Sequence, residues 1–163
     1  MEAGGNGATP EERLAAAGIV LPEAAAPVAN YVPVVRTGSL LVVSGQLPLR
    51  DGRLLLLGKL GGAVSVEQGA EAARLCMVNV LAQLSVFTGG ALRRIRRVVR
   101  LGGFIACEPS FIQHAAVMNG ASDFAVLAFG DDGRHARSTI GVPSLPLDAP
   151  VEVEGMFELA DGF

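Results

Sequence analysis

The chain has 163 residues, half of them hydrophobic, with 18% charged and a formal net charge of −3. That is one domain's length with enough apolar residues for a buried core, and it excludes disorder as the native state. The acidic balance removes any global attraction to nucleic acid or to an anionic membrane. Gly and polar residues interrupt every apolar run, so no membrane span is expected, and the N-terminus lacks the basic-then-apolar pattern of a secretory signal. Cys76 and Cys107 fit no ligand spacing. A cytoplasmic protein with reduced thiols is the expectation. The high apolar fraction also points to surface covered by another subunit.

In chain order, residues 1–8 are Gly-rich and expected to fray. Thr9, Pro10 and Glu12 form a capping box that opens a short helix through Ala17, which Gly18 stops. An Ala/Pro-rich connector runs from Ile19 to Pro27. Val32–Val35 and Leu40–Val43 are predicted as strands around the turn Thr37-Gly38-Ser39. A second turn lies at Arg50–Arg53, and Leu54–Leu57 is either an edge strand or a loop buried by a neighbour.

Ser65 and Gln68 make a second capping box, opening a helix to Thr88 whose apolar residues recur at three- and four-residue steps. Gly89-Gly90 ends it. Ile95–Ala106 reads as a strand, and Pro109 is predicted to start a second helix reaching Phe129. The last pattern is a hairpin running from Arg137 through Leu145–Pro150 into a strand that opens at Val151. Helices that follow hairpins, rather than alternating with strands, favour an α+β sheet with both helices on one face.

Four chemistries fall away on spacing. His114 and His135 have no second ligand at metal-binding distance in sequence. Ser44 lacks a nucleophile elbow, and Cys107 at a strand end reads as structural. Gly61-Gly62 and Gly89-Gly90 lack the Lys-Ser or Lys-Thr of a phosphate loop. Arg93, Arg94, Arg96, Arg97 and Arg100 form a basic cluster without interleaved aromatics, which suits solvated, acid-paired arginines better than RNA.

What remains is Arg137 with Glu152. A hairpin would set a guanidinium and a carboxylate on one wall, the first a planar fork for a carboxylate, the second able to orient or deprotonate water. Alternatively the two simply pair on an ordinary surface hairpin. Glu152 and Glu154 alternate onto the same side, so either one could face a pocket.

Arg137-Ser-Thr-Ile-Gly-Val-Pro-Ser-Leu-Pro leading to Glu152 resembles the C-terminal signature of the RidA (YjgF) family of reactive-intermediate deaminases. Asn30-Tyr31 through Ser44-Gly45-Gln46-Leu-Pro48 resembles that family's first hairpin, and Asn119 falls where it keeps an active-site Asn. The resemblance covers Pro27 to Glu158, which makes residues 1–26 an N-terminal extension and 27–163 the family domain. It implies a chorismate-mutase-like fold, one mixed sheet with two helices on one face, and a homotrimer with pockets between subunits. It implies hydrolysis of a 2-imino acid or enamine to a 2-oxo acid and ammonia, which requires no cofactor; the missing ligand spacings and phosphate loops add the expectation of no metal and no nucleotide cofactor. Arg137 and Glu152 would be catalytic, Arg137 and the backbone near Thr139 holding the carboxylate and Glu152 directing water. Tyr31, Ser44, Gly45 and Asn119 would shape the pocket.

This chain departs from the pattern at Thr139, where a Cys is common, at Pro143, and in Gly133-Arg134-His135-Ala136, where a Pro is common. Arg134 and His135 either reshape the pocket mouth or are simply loop residues. Two other readings stay open: a regulatory protein that binds a small carboxylate without catalysis, and an RNA-binding, endoribonuclease-like protein.

Overall fold

The computed structural model describes residues 7–27 and 29–162. Most of the fraying expected of residues 1–8 therefore lies outside the described residues. Helix α1 (Pro10–Ala16) starts at the Thr9 capping box, with the Thr9 side chain and Glu12 each accepting from the other's backbone N–H. Strands β1 (Val34–Thr37) and β2 (Leu40–Gln46) form an antiparallel hairpin across Gly38, whose φ of 58° suits glycine. β1 begins two residues later than the sequence predicts, because Ser44 captures the preceding segment: its N–H donates to Pro33 O and its hydroxyl to Val32 O.

β3 (Leu49–Arg50) and β4 (Arg53–Leu54) make a two-residue ladder. Beyond it, Leu55 and Leu57 are exposed loop residues, so neither reading of the leucine run holds in full. Helix α2 (Val66–Phe87) opens on the Ser65–Gln68 capping box. By length and composition it is apolar enough to cross a membrane, which corrects the reading that no run is long enough. Its Ala73, Cys76, Met77, Val80, Leu81 and Leu84 are instead buried in the core.

β5 (Ile95–Ala106) is followed by helix α3 (His114–Phe129). The predicted start at Pro109 is five residues early: residues 109–113 turn, and Gln113 caps with no side-chain hydrogen bond. β6 (Ala136–Val142) leads through a 3₁₀ turn at Pro146–Asp148, where Leu147 and Asp148 take positive φ of 59° and 61°, into β7 (Val151–Leu159).

The main sheet has the order β1-β2-β7-β5-β6. β6 and β7 are consecutive but not paired. β5 lies between them, parallel to β6 and antiparallel to β7. The C-terminal hairpin read from sequence is thus a crossover that skips a strand. Helices α2 and α3 cover one face, over Leu41, Val43, Val98, Leu101, Ile105, Val151, Val153 and Phe157. α3 closes onto α2 at Gly120, where a Cβ would collide with the Ala70 carbonyl. This is the expected α+β architecture, with a mixed sheet and its helices on one side.

The other face is uncovered by the described chain. Cross-strand register lines up Val35, Val42 and Met156 there, and all three side chains are exposed. A second line holds Glu152, Phe104 and Ile140.

Candidate functional site

The residues singled out from sequence fall into two groups on different sides of the sheet. The first is on the open face. Between Val43 and Gln46 the β2–β7 register shifts, a bulge that takes up one extra residue at Ser44-Gly45. Glu152 of β7 folds over Gly45, and any Cβ there would occupy the position of its carboxylate. The Glu152 carboxyl is half-buried, and burial first, then the Glu154 carboxylate beside it, raises its pKa from the ordinary range. Glu154 lies over Gly102 instead, where a Cβ would stand 2.8 Å from its Cγ, and it pairs with Arg100 at 3.8 Å. Both glutamates share the face, as alternation requires, yet Glu154 is tied to a cation and Glu152 is not, among the described residues. Ser44 uses its hydroxyl to hold the carbonyl of Val32, the residue after the exposed Tyr31.

The second group lines the β6 edge. Arg137 registers with Leu101 and, through it, with Gly155, on the helix side of the sheet. Its Nη1 donates to Ser122 Oγ of α3 at 2.9 Å. Ser122 Oγ is in turn 3.0 Å from His135 Nε2, and His135 Nδ1 is 2.6 Å from the Gly133 carbonyl. A carbonyl only accepts, so Nδ1 carries a proton; in the neutral ring Nε2 then accepts from the serine hydroxyl, and the serine oxygen accepts from Arg137. The guanidinium is exposed but oriented. Thr139, two residues on, has a buried hydroxyl with no partner among the described residues. Asn119 is exposed on α3, three residues before Ser122.

The single wall expected for Arg137 and Glu152 is therefore corrected. Two strand spacings, about 10 Å, separate β6 from β7, and the register sets the two side chains on opposite faces. Neither do they form the surface pair of an ordinary hairpin. Sequence reasoning missed Ser122 altogether. Its signal was weak: it shares a helix face with His114 and Met118 at four-residue steps, which ordinarily marks core packing.

The arginine cluster is partly engaged. Arg97 lies 3.4 Å and Arg96 3.8 Å from Glu158, alongside the Arg100–Glu154 pair.

An α+β sheet with a bulged second strand, an arginine on the parallel edge strand and a carboxylate entering the last strand defines a recognisable class. Residues 11–159 match the family described as YjgF/chorismate mutase-like, putative endoribonuclease, and the chain belongs to that family. It is 46% identical over 143 residues to protein TCP17 of Trypanosoma cruzi, covering 87% of this chain and 89% of that protein. Among solved structures, it is similar to the protein Atu1372 of Agrobacterium tumefaciens, at 44% identity and a TM-score of 0.87 over 93% of this chain and 92% of that one. A Shewanella oneidensis protein named a putative endoribonuclease matches at 42% identity and a TM-score of 0.90, over 93% and 100% of the two chains.

Proposed function

We propose that the protein hydrolyses small 2-imino acids to 2-oxo acids and ammonium, at a site that two copies of the chain complete. The observation that carries this reading is Glu152. It is a half-buried carboxyl of raised pKa, with a glycine cleared beneath it and its acidic neighbour neutralised by Arg100. A carboxylate held this way costs stability and suits proton exchange with water.

The reaction asks little more of a protein. A protonated imine is already electrophilic. Water adds to the imine carbon while Glu152 takes one of its protons. That proton passes to nitrogen, and C–N cleavage of the resulting carbinolamine releases ammonia, which leaves as ammonium. Arg137 anchors the carboxylate of the substrate through paired donors, and in this reading Asn119 and the Thr139 backbone complete its contacts. No redox step and no cofactor enter the balance.

Because Arg137 and Glu152 lie on opposite faces of one sheet, the reading requires the β6 edge of one copy to meet the open face of another. Closed cyclic symmetry satisfies every copy in this way, and a homotrimer is the proposed form. The exposed Val35, Val42 and Met156 on the open face support such an interface.

The test is subunit complementation, with imine decay followed after in situ generation by an amino-acid oxidase. Arg137→Ala and Glu152→Gln are each expected to be inactive. Unfolding and refolding them together at equal amounts should restore about a quarter of the sites, the share a trimer with shared sites predicts. Trimers that form from both variants yet recover no activity would overturn the reading.

A further inference from the structure

A second constellation lies at the opposite end of β6 from Arg137 and does not depend on the proposed reaction. The C-terminal ends of β5 and β6, the loop at Lys59 and the start of α3 enclose a pocket of about 450 Å³. Cys107 and His114 both line it, with Sγ 3.6 Å from Nε2. The backbone fixes both partners. Cys107 N–H donates to Val142 O, and its strand end bridges to Leu60. The His114 ring packs edge-on against Phe111, with centroids 5.2 Å apart. Gly141 makes the approach possible, since a Cβ there would lie 2.6 Å from Nε2 and 2.7 Å from Sγ. Cys107 is half-buried in an open pocket, whereas Cys76 is wholly buried, its thiol directed at the Val151 carbonyl and its pKa raised well above the ordinary thiol value, burial first.

We propose that Cys107 and His114 form a reactive thiol centre that adds to small α,β-unsaturated carbonyl compounds. With the ring proton on Nδ1, Nε2 takes the proton of Sγ as sulfur attacks the β-carbon. The C–S bond forms, and the electron pair of the C=C bond moves to an enolate. Nε2 then returns its proton to the α-carbon. This is an addition, with no leaving group and no change of overall oxidation state. Lys59 and Glu108 both line the pocket, so its wall carries one charge of each sign and the reactivity rests on the thiol–imidazole pair. Conjugated acceptors suit the pair better than esters or amides, whose acyl-enzyme would need a leaving group and a later hydrolysis. The two residues are too far apart in function for sequence reasoning to have joined them: one closes a strand, the other opens a helix, and Gly141 lies a strand away.

The experiment uses acrylamide as the probe on the folded full-length chain, with intact mass and peptide mapping as readouts. One adduct is expected, on Cys107, with Cys76 unmodified. Its rate should exceed that of Cys107 in the denaturant-unfolded chain by about tenfold or more, a modest return for a positioned base. His114→Gln, checked for folding by circular dichroism, should lose most of that advantage, and Cys107→Ser should take up no label. A folded-chain rate at or below the unfolded one overturns the proposal whether or not the His114 variant folds. So does a folded His114→Gln protein that reacts like the parent, or labelling of Cys76 ahead of Cys107.

Discussion

At the residue scale, Arg137 and Glu152 invite opposite tests. Arg137 is held by one donated hydrogen bond to Ser122, which leaves the rest of its fork for a ligand. Lys keeps the charge and loses the fork. Charge-assisted hydrogen bonds contribute about 1.5–3 kcal/mol each. Arg137→Lys is therefore expected to lower imine turnover efficiency by on the order of ten- to several-thousand-fold. Parent-like turnover and parent-like binding of a 2-oxo acid would reject the assignment. Ser122→Ala removes the tether rather than the fork, so a smaller loss, read mainly in KM, is the expected outcome.

Glu152 makes a thermodynamic prediction independent of any assay. Its folded pKa is raised, so folding favours the protonated form. The stability this group contributes is fully present below the ordinary carboxylate pKa and lost as pH rises through the folded value. Glu152→Gln, which resembles the protonated side chain at every pH, should then raise the thermal midpoint at neutral pH. The gain should fade on acidification past the ordinary carboxylate range. Scanning both proteins across that window decides it; a midpoint that falls at neutral pH would mean a cation from outside the chain meets Glu152.

At the element scale, the legible parts were those whose signals are local. Both capping boxes were readable because cap and N3 residues sit three apart in sequence, and they appear as reciprocal bonds at Thr9–Glu12 and Ser65–Gln68. Ser65→Ala is accordingly expected to cost about 0.5–2 kcal/mol, measured by denaturant unfolding. The start of α3 was misread because Pro109 is compatible with a first helical turn, while residues 109–113 instead turn locally, Phe111 N–H donating to Glu108 O, and Phe111 packs against Gly61, far away in sequence. The β6–β7 misreading is deeper. Two strands joined by Leu-Pro look like a hairpin, and nothing in either strand announces that a long strand made before α3 will lie between them. The candidate site residues were proposed one by one through the family resemblance. Their distribution over two faces was not, since parity across a sheet depends on pairing, and a single misplaced neighbour reverses it.

At the scale of the whole molecule, the open sheet face explains why the chain is so apolar. The α2–α3 layer buries one side of the sheet, yet Val35, Val42, Met156 and Ile140 stand exposed on the other, interleaved with Glu152, Glu154 and Glu158. Scattered exposed apolar residues need no explanation, but a cross-strand line of them on a wide sheet indicates a partner surface. The acids of this face are mostly neutralised within the chain by Arg96, Arg97 and Arg100, which lowers the electrostatic cost of laying a second copy against it. Val42 is the best single probe. It sits mid-strand beside Met156, points away from the core and touches none of the proposed catalytic groups in register. Val42→Asp should place an unpaired charge in the middle of the proposed interface. Burying such a charge costs several kcal/mol per ion, and cyclic symmetry repeats it at every contact. The expected result is a folded monomer by sedimentation velocity, with unchanged far-ultraviolet circular dichroism and no imine turnover. Activity in a demonstrably monomeric Val42→Asp protein would mean that one chain carries a complete site, and the shared-site reading would fall with it.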